Sequence, residues 1–349
     1  MFPLSSLVLL LTAASVTIAT NLPTRLIYES PTGLFLEGIA VRPSGQLLLT
    51  SVVSPTLYTL DPTSPNPTLD EVYTFPNATS LNGIVEYAPD TFALVVSSLS
   101  TTEVATPLDS VVIYSISFPS TSSNQPIITP AARIPCSTMT NGISTHPGDP
   151  SLILAADSHL GVAWEVNMLT GAVRIALHDA ALEPGLTAPW PGLGINGLRA
   201  HTSASNLFLY FTNSASGTFA RVLLAARAPV EILGTQPKVD GVFGVYDDFV
   251  FDEEGRAWVT LSSGAVQMFS PSVGNQNEWV QETVAGDPKG GGMLDGATAC
   301  AFGRDTKTLY VTTSKGRVVV IDTAAGISKI NDSNQNVEGT SAKPSRDEF

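Results

Sequence analysis

Two cysteines in 349 residues, Cys136 and Cys300, are too few for a disulfide scaffold. Basic residues are also scarce, with 17 Lys and Arg against 31 Asp and Glu and a net charge of -14. No basic patch exists to release counterions, which argues against nucleic acid or an anionic membrane as partner. Charged residues make up only 14% and hydrophobic ones 43%, a balance that folds rather than stays disordered. Beyond the N-terminus no apolar run reaches the roughly 18 residues of a membrane-spanning helix. The chain also lacks a G-x-S-x-G elbow, an H-E-x-x-H pair, a phosphate-binding glycine loop and a C-x-x-C pair. Those absences disfavour covalent catalysis, zinc proteolysis and nucleotide use.

At the N-terminus a short apolar run, Leu7 to Val16, leads into small residues up to Ala19. This predicts a signal peptide over 1–19 and a protein of the secretory pathway. Asn77-Ala-Thr and Asn331-Asp-Ser are glycosylation sequons. The ending Arg346-Asp-Glu-Phe349 has the shape of an ER-retrieval signal with a changed last residue, so secretion and ER residence both stay open. Residues 20–325 read as one domain, and 326–349 as a polar tail.

Within that domain a unit of about 50 residues recurs. Its openings are Leu36-Glu37-Gly, Leu81-Asn82-Gly, Thr140-Asn141-Gly, Ile195-Asn196-Gly, Tyr246-Asp247-Asp and Gly296-Ala297-Thr. After each comes a turn such as Pro43-Ser-Gly45 or Asp252-Glu-Glu-Gly255, then an apolar strand ending in hydroxyl residues, such as LLLTS (47–51) or LYVTTS (309–314). A third strand and, in most units, a weaker fourth follow, with no helical period anywhere. Four short antiparallel strands repeated six times predict an all-β, six-bladed β-propeller. The sixth unit stops after three strands, and Arg25 to Glu29 is expected to close it as the outermost strand. A monomer is expected. The cysteines read as buried thiols in blades facing each other across the channel.

Shared strand direction brings Glu37, Asn82, Asn141, Asn196 and Asp247 into a ring at one channel mouth, with Ala297 in the sixth place. Carboxylates and amide oxygens are hard ligands suited to Ca2+. Equally, Asn and Asp at strand starts can simply satisfy loop backbone groups. The loops between second and third strands should reach the same mouth, carrying Thr50, the stretch Ser97 to Ser110, Asp157, His159, Asn213 and Ser262. His159 beside Asp157 is the acid/base candidate. His146 and His201 fall at the far end of their strands and read as structural. The connection 182–195 is expected to arch over the mouth with Trp190 as a flat apolar wall, and the Gly-rich 286–296 to arch beside it.

These openings, with D-D-F-V-F-D-E-E-G-R-A-W-V from Asp247, resemble the SMP-30/gluconolactonase-type propellers over residues 25–323. The resemblance implies a divalent metal on Glu37, Asn141, Asn196 and Asp247, serving lactone hydrolysis. The chain departs from that pattern in lacking Gly-Pro after Glu37 and in having Asp-Asp where Asp-Gly is usual. Overall it looks most like the secreted fungal branch, which includes the hetero-Diels-Alderases that join a tropolone-derived quinone methide to a humulene-type sesquiterpene. That likeness implies small polyketide and terpenoid substrates and no required cofactor. Asn82, Asn141 and Asn196 would then hydrogen-bond the polar reactant, and Trp190, Asn213 and Thr50 would contact substrate. His159 with Asp157 would assist loss of water. A metal-dependent hydrolase and a non-catalytic small-molecule-binding propeller remain the alternatives.

Overall fold

The computed structural model describes residues 21–325 apart from 186–191, 204, 225–227, 241, 243 and 273–274. Trp190, Asn331, the 1–19 leader and the 346–349 ending lie outside the described residues.

The first strand is β1 (Thr24–Glu29). Blade 1 follows as β2 (Leu36–Val41), β3 (Leu47–Ser51), β4 (Ser54–Leu60) and β5 (Asp70–Thr74). Blade 2 is β6 (Ser80–Ala88), β7 (Thr91–Ser97), β8 (Val112–Ser117) and β9 (Ile127–Arg133). Blade 3 is β10 (Thr140–Thr145), β11 (Leu152–Asp157), β12 (Val162–Asn167) and β13 (Val173–His178). Blade 4 is β14 (Ile195–Ser203), β15 (Asn206–Asn213), β16 (Thr218–Leu223) and β17 (Glu231–Thr235). Blade 5 is β18 (Tyr246–Phe251), β19 (Ala257–Leu261), β20 (Ala265–Ser272) and β21 (Asn275–Gly286). Blade 6 is β22 (Ala297–Phe302), β23 (Thr308–Thr313) and β24 (Arg317–Asp322).

Each blade is a four-stranded antiparallel meander, and the sixth is completed by β1 in the order β1-β24-β23-β22. The pairing runs from Thr24 opposite Ile321 to Glu29 opposite Arg317. Thus the N-terminal strand closes the ring, and the run Val318 to Ile321 is not left as an open edge.

The core is divided into six apolar clusters, each shared by two neighbouring blades. This follows from the sequence pattern: the second strands are largely apolar on both faces, because each sheet is covered on both sides by its neighbouring blades. Between blades 4 and 5 the filling is aromatic, with Tyr210, Phe219, Tyr246, Phe249 and Phe269 buried together. His201 stacks on Phe251 at 4.3 Å.

Every innermost strand carries a β-bulge near its start. In blade 1 Leu36 pairs with Ser51 and Ile39 with Leu49, so that Glu37 and Gly38 together face Thr50. The same two-against-one register recurs in the other five blades. A bulge re-aims the side chain of its first residue, here toward the channel. In blades 1 to 4 the residue after it is glycine, and blade 5 has Asp248 there. A Cβ on Gly83 would come 2.6 Å from the carbonyl oxygen of Asn141, and one on Gly142 would come 2.7 Å from that of Asn196. The recurrent amide-Gly pair therefore supplies a channel-facing group followed by room for the neighbouring blade.

Two expectations are corrected by this register. In blade 6 Ala297 pairs with Thr313, as Leu36 does with Ser51, so the ring position belongs to Thr298 and not to Ala297. Cys136, read as buried, is exposed in the connection after β9, while Cys300 is buried, and both are free thiols.

Hydroxyl residues opposite the bulges join the blades. Thr50 Oγ1 accepts the Gly38 N–H and donates to the Asn82 carbonyl of blade 2, both at 2.7 Å. Thr212 does the same between Gly197 and the Asp247 carbonyl, and Thr260 donates to the Thr298 carbonyl at 2.6 Å. Thr312 completes the series at the Glu37 carbonyl.

Candidate functional site

The bulges and the interblade glycines open a cavity of about 360 Å3 at the mouth where the innermost strands begin. Its floor consists of Glu37, Asn141, Asn196, Asp247 and Thr298, five of the six ring positions. Its sides come from the loops between second and third strands and from the connections between blades. Phe35, Val52, Leu99, Val104, Met139, Leu193 and Val245 contribute apolar surface, and Ser214, Ser262 and Ser314 contribute hydroxyls.

The floor groups are held in different ways. Asn196 Nδ2 donates to Ser214 Oγ at 3.0 Å, and that hydroxyl donates onward to the Tyr246 carbonyl. The Asn141 amide faces the cavity with no hydrogen-bond partner among the described residues. Glu37 is 8% exposed and its carboxyl is pushed up to about 8, first by burial and then by the nearby charge of Asp248. Asp247 is held well above the ordinary carboxylate range by burial, with Glu37 and Asp248 adding repulsion and the Asn196 amide opposing it. Asp248 pairs with Arg199 at 2.7 Å, and its Oδ1 is buried without a partner. Desolvation and mutual repulsion thus make charge on the floor expensive unless a cation or a proton accompanies it.

Other sequence candidates lie elsewhere. Asn82 Oδ1 accepts from Ser80 at 2.7 Å, and Asn82 Nδ2 donates to the Thr140 carbonyl at 3.0 Å, so this amide ties blade 2 to blade 3. Thr50 is one of the interblade hydroxyls and is fully buried. Asn213 Nδ2 donates to the carbonyls of Ala181 and Glu183 and holds the start of the 182–195 connection in place. Asp157 accepts the N–H groups of His159 and Leu160 and the indole N–H of Trp164. His159 is half-buried, with Nδ1 3.2 Å from Thr138 Oγ1, and burial lowers its pKa against the pull of Asp157. None of these five lines the cavity. The two-residue spacing of Asp157 and His159 makes a loop cap, not an acid/base pair facing the cavity. Asn77 is exposed, in a turn with φ +62°.

The floor presents oxygen donors of the kind that could hold a divalent cation. Two buried carboxylates and two amides converge on one cavity, and the charge penalty there is one that a hard cation would remove. Among the described residues no group of three or more His, Cys, Asp or Glu is placed to hold a metal, so such a site would depend on the oxygens of Asn141 and Asn196.

Solved structures reproduce the architecture. A Bacteroides thetaiotaomicron protein of unknown function superposes with a TM-score of 0.62 at 11% identity, over 86% of this chain and 75% of its own. A gluconolactonase from Xanthomonas campestris gives 0.55 at 13% identity, over 87% and 92%. The calcium-binding regucalcin of Agrobacterium tumefaciens gives 0.55 at 18% identity, over 86% and 94%. The chain is a six-bladed β-propeller. In sequence this propeller is 26% identical over 343 residues to a proposed hetero-Diels-Alderase of Phoma sp, covering 89% of this chain and 94% of the relative. It is 25% identical to another of Sarocladium schorii, over 83% and 78%. No protein-family model matches the chain.

Proposed function

We propose that the cavity is the active site of a cyclase that joins two small reactants by a hetero-Diels-Alder reaction. The observation that carries this reading is the pairing of an apolar wall with a floor of amides and raised carboxyls in one cavity. The names of the two sequence relatives support it. The size, about 360 Å3, lies within the range of small-molecule sites. A tropolone-type hydroxymethyl compound loses water to give a quinone methide, and its heterodiene then adds across an alkene of a humulene-type terpene. One C–C and one C–O bond form with no change of redox state.

The chain's own groups suit each demand. Holding the reactants face to face removes the translational freedom that dominates an intermolecular barrier. The apolar wall excludes water from an electrophilic intermediate. Asn141 and Asn196, with Glu37 protonated near neutral pH, offer hydrogen bonds to the oxygen on which charge develops. Incubating the protein with the two alcohols should give faster and more stereoselective adduct formation than buffer. Equal rate and stereochemistry would reject the reading.

A second reading is favoured by the same floor: a metal-dependent lactonase in which Glu37, Asn141, Asn196 and Asp247 hold a cation that polarises a carbonyl. Purified protein that carries no divalent metal, and that is indifferent to chelator in activity and melting, would exclude it.

A further inference from the structure

Substrate placement is written in the walls of the cavity, which are not alike around the ring. The residue directly after the second strand is Val52 in blade 1 but Ser214, Ser262 and Ser314 in blades 4, 5 and 6, and all four line the cavity. Ser214 is occupied with Asn196 and Tyr246. Ser262 Oγ accepts the Val245 N–H at 2.9 Å, which leaves its proton free to donate. Ser314 Oγ has no partner among the described residues. A pair of available hydroxyls therefore stands over blades 5 and 6.

Across the cavity, over blades 1 to 3, the wall is mostly hydrocarbon with Thr101 as its hydroxyl, and one loop is enlarged to make it. The second and third strands of blade 2 are joined by residues 98–111, whereas blade 1 uses 52–53 and blade 5 uses 262–264. The long loop folds on itself through the bridge Ser100 to Ala105. It is pinned to the connection between blades 2 and 3 by the Thr106 N–H on the Thr138 carbonyl at 2.8 Å and by the Asp109 N–H on the Pro135 carbonyl at 3.0 Å. In its tip Val104 has φ +53° and lines the cavity with Leu99. A β-branched residue is strongly disfavoured in that left-handed region, where Asn or Gly is the comfortable choice. Strain of this kind persists where the side chain has a task.

We propose that the two sides take different reactants. The wall of Val52, Val53, Leu99, Val104 and Met139 receives the hydrocarbon partner, and the hydroxyls of Ser262 and Ser314 receive the oxygen-bearing planar partner. The chemical identity of the two partners rests on the cyclase reading, while the division of the cavity does not.

The test is binding without turnover, by calorimetry with tropolone alone and with a humulene-type sesquiterpene alcohol alone. Val104→Asn should weaken the terpene by about fivefold or more and leave tropolone unchanged, since one buried branched alkyl group is lost. Its melting temperature should hold or rise, because Asn accepts the left-handed conformation. Val53→Asn provides a second arm that cannot unfold the protein, since Val53 is 48% exposed; it should act in the same direction. Ser262→Ala with Ser314→Ala should weaken tropolone by about fivefold to tenfold and leave the terpene unchanged. Variants that weaken both probes alike, or neither, would overturn the division. Selective losses together with no adduct formation would keep the division and reject the cyclase.

Discussion

The closing strand is the part of the fold most open to attack, and Ile27 is the residue to change. It is 9% exposed in the middle of β1, packed in the cluster that joins blade 6 to blade 1 with Leu36, Leu49 and Val318. Truncating a buried Ile to Ala removes its transfer free energy and leaves a cavity, at a cost of about 3 kcal/mol. For a domain of this size that corresponds to a fall in Tm of roughly 5 °C. Arg25 lies on the same strand and is exposed, so Arg25→Ala should shift melting by no more than about 1–2 °C. A chain starting at residue 31 loses the whole pairing with β24 and bares Val318, Val319 and Ile321, all now fully buried. It should aggregate, and a peptide of residues 21–30 added in trans should restore part of the melting temperature by adding back the strand. Thermal melting followed by circular dichroism reads all of these. If Ile27→Ala melts like the wild type, or the truncated chain melts like the full one, the ring is not held closed by β1.

The remaining predictions concern the floor and the buried polar links. Glu37 has a folded pKa of about 8 against an ordinary 4.5, so the native state binds its proton more tightly than the unfolded state does. In the presence of a chelator, the stability contributed by this proton should therefore be fully present below about pH 4.5 and be lost as pH rises to about 8, and Glu37→Gln should flatten that fall in a pH series of melting curves. Thr212→Val leaves the Gly197 N–H and the Asp247 carbonyl buried without their partner, and should cost about 2–3 kcal/mol by denaturant unfolding. Arg42, fully buried, pairs with Asp90 at 2.8 Å and lies 3.7 Å above the Phe118 ring. Arg42→Met should cost about 3–5 kcal/mol, and adding Asp90→Asn should recover part of that loss in a double-mutant cycle.

Much of the site was legible because a propeller repeats one physical problem six times. Glu37, Asn141, Asn196 and Asp247 could be placed together from their common position before an apolar strand, and all four line the cavity. Thr298 was missed because the bulge inserts one residue, and the small residues Ala297, Thr298 and Ala299 carry no mark of which one is first. The hydroxyl ends of the second strands were visible, yet their task was not. Thr50, Thr212 and Thr260 bond to the next blade, whose distance along the chain no local pattern reveals. Asp157 and His159 show the opposite failure. Closeness in sequence suggested chemistry, and Asp157 is in fact occupied with backbone N–H groups and Trp164.

By itself, then, the sequence determined the fold class, the number of blades, the strand that closes them and most of the polar floor. Each of these follows from local alternation of apolar and polar residues and from turn chemistry, which act over a few residues and recur often enough to be read. Only the tertiary structure decided which amides reach the cavity and which bind blades together, because Asn82 and Asn141 both open an Asn-Gly-Ile strand start, yet only Asn82 is held by the next blade, at the Thr140 carbonyl. It also decided the pressure on Glu37 and Asp247, since repulsion among Glu37, Asp247 and Asp248 depends on a channel that brings blade 1 against blade 5 in space.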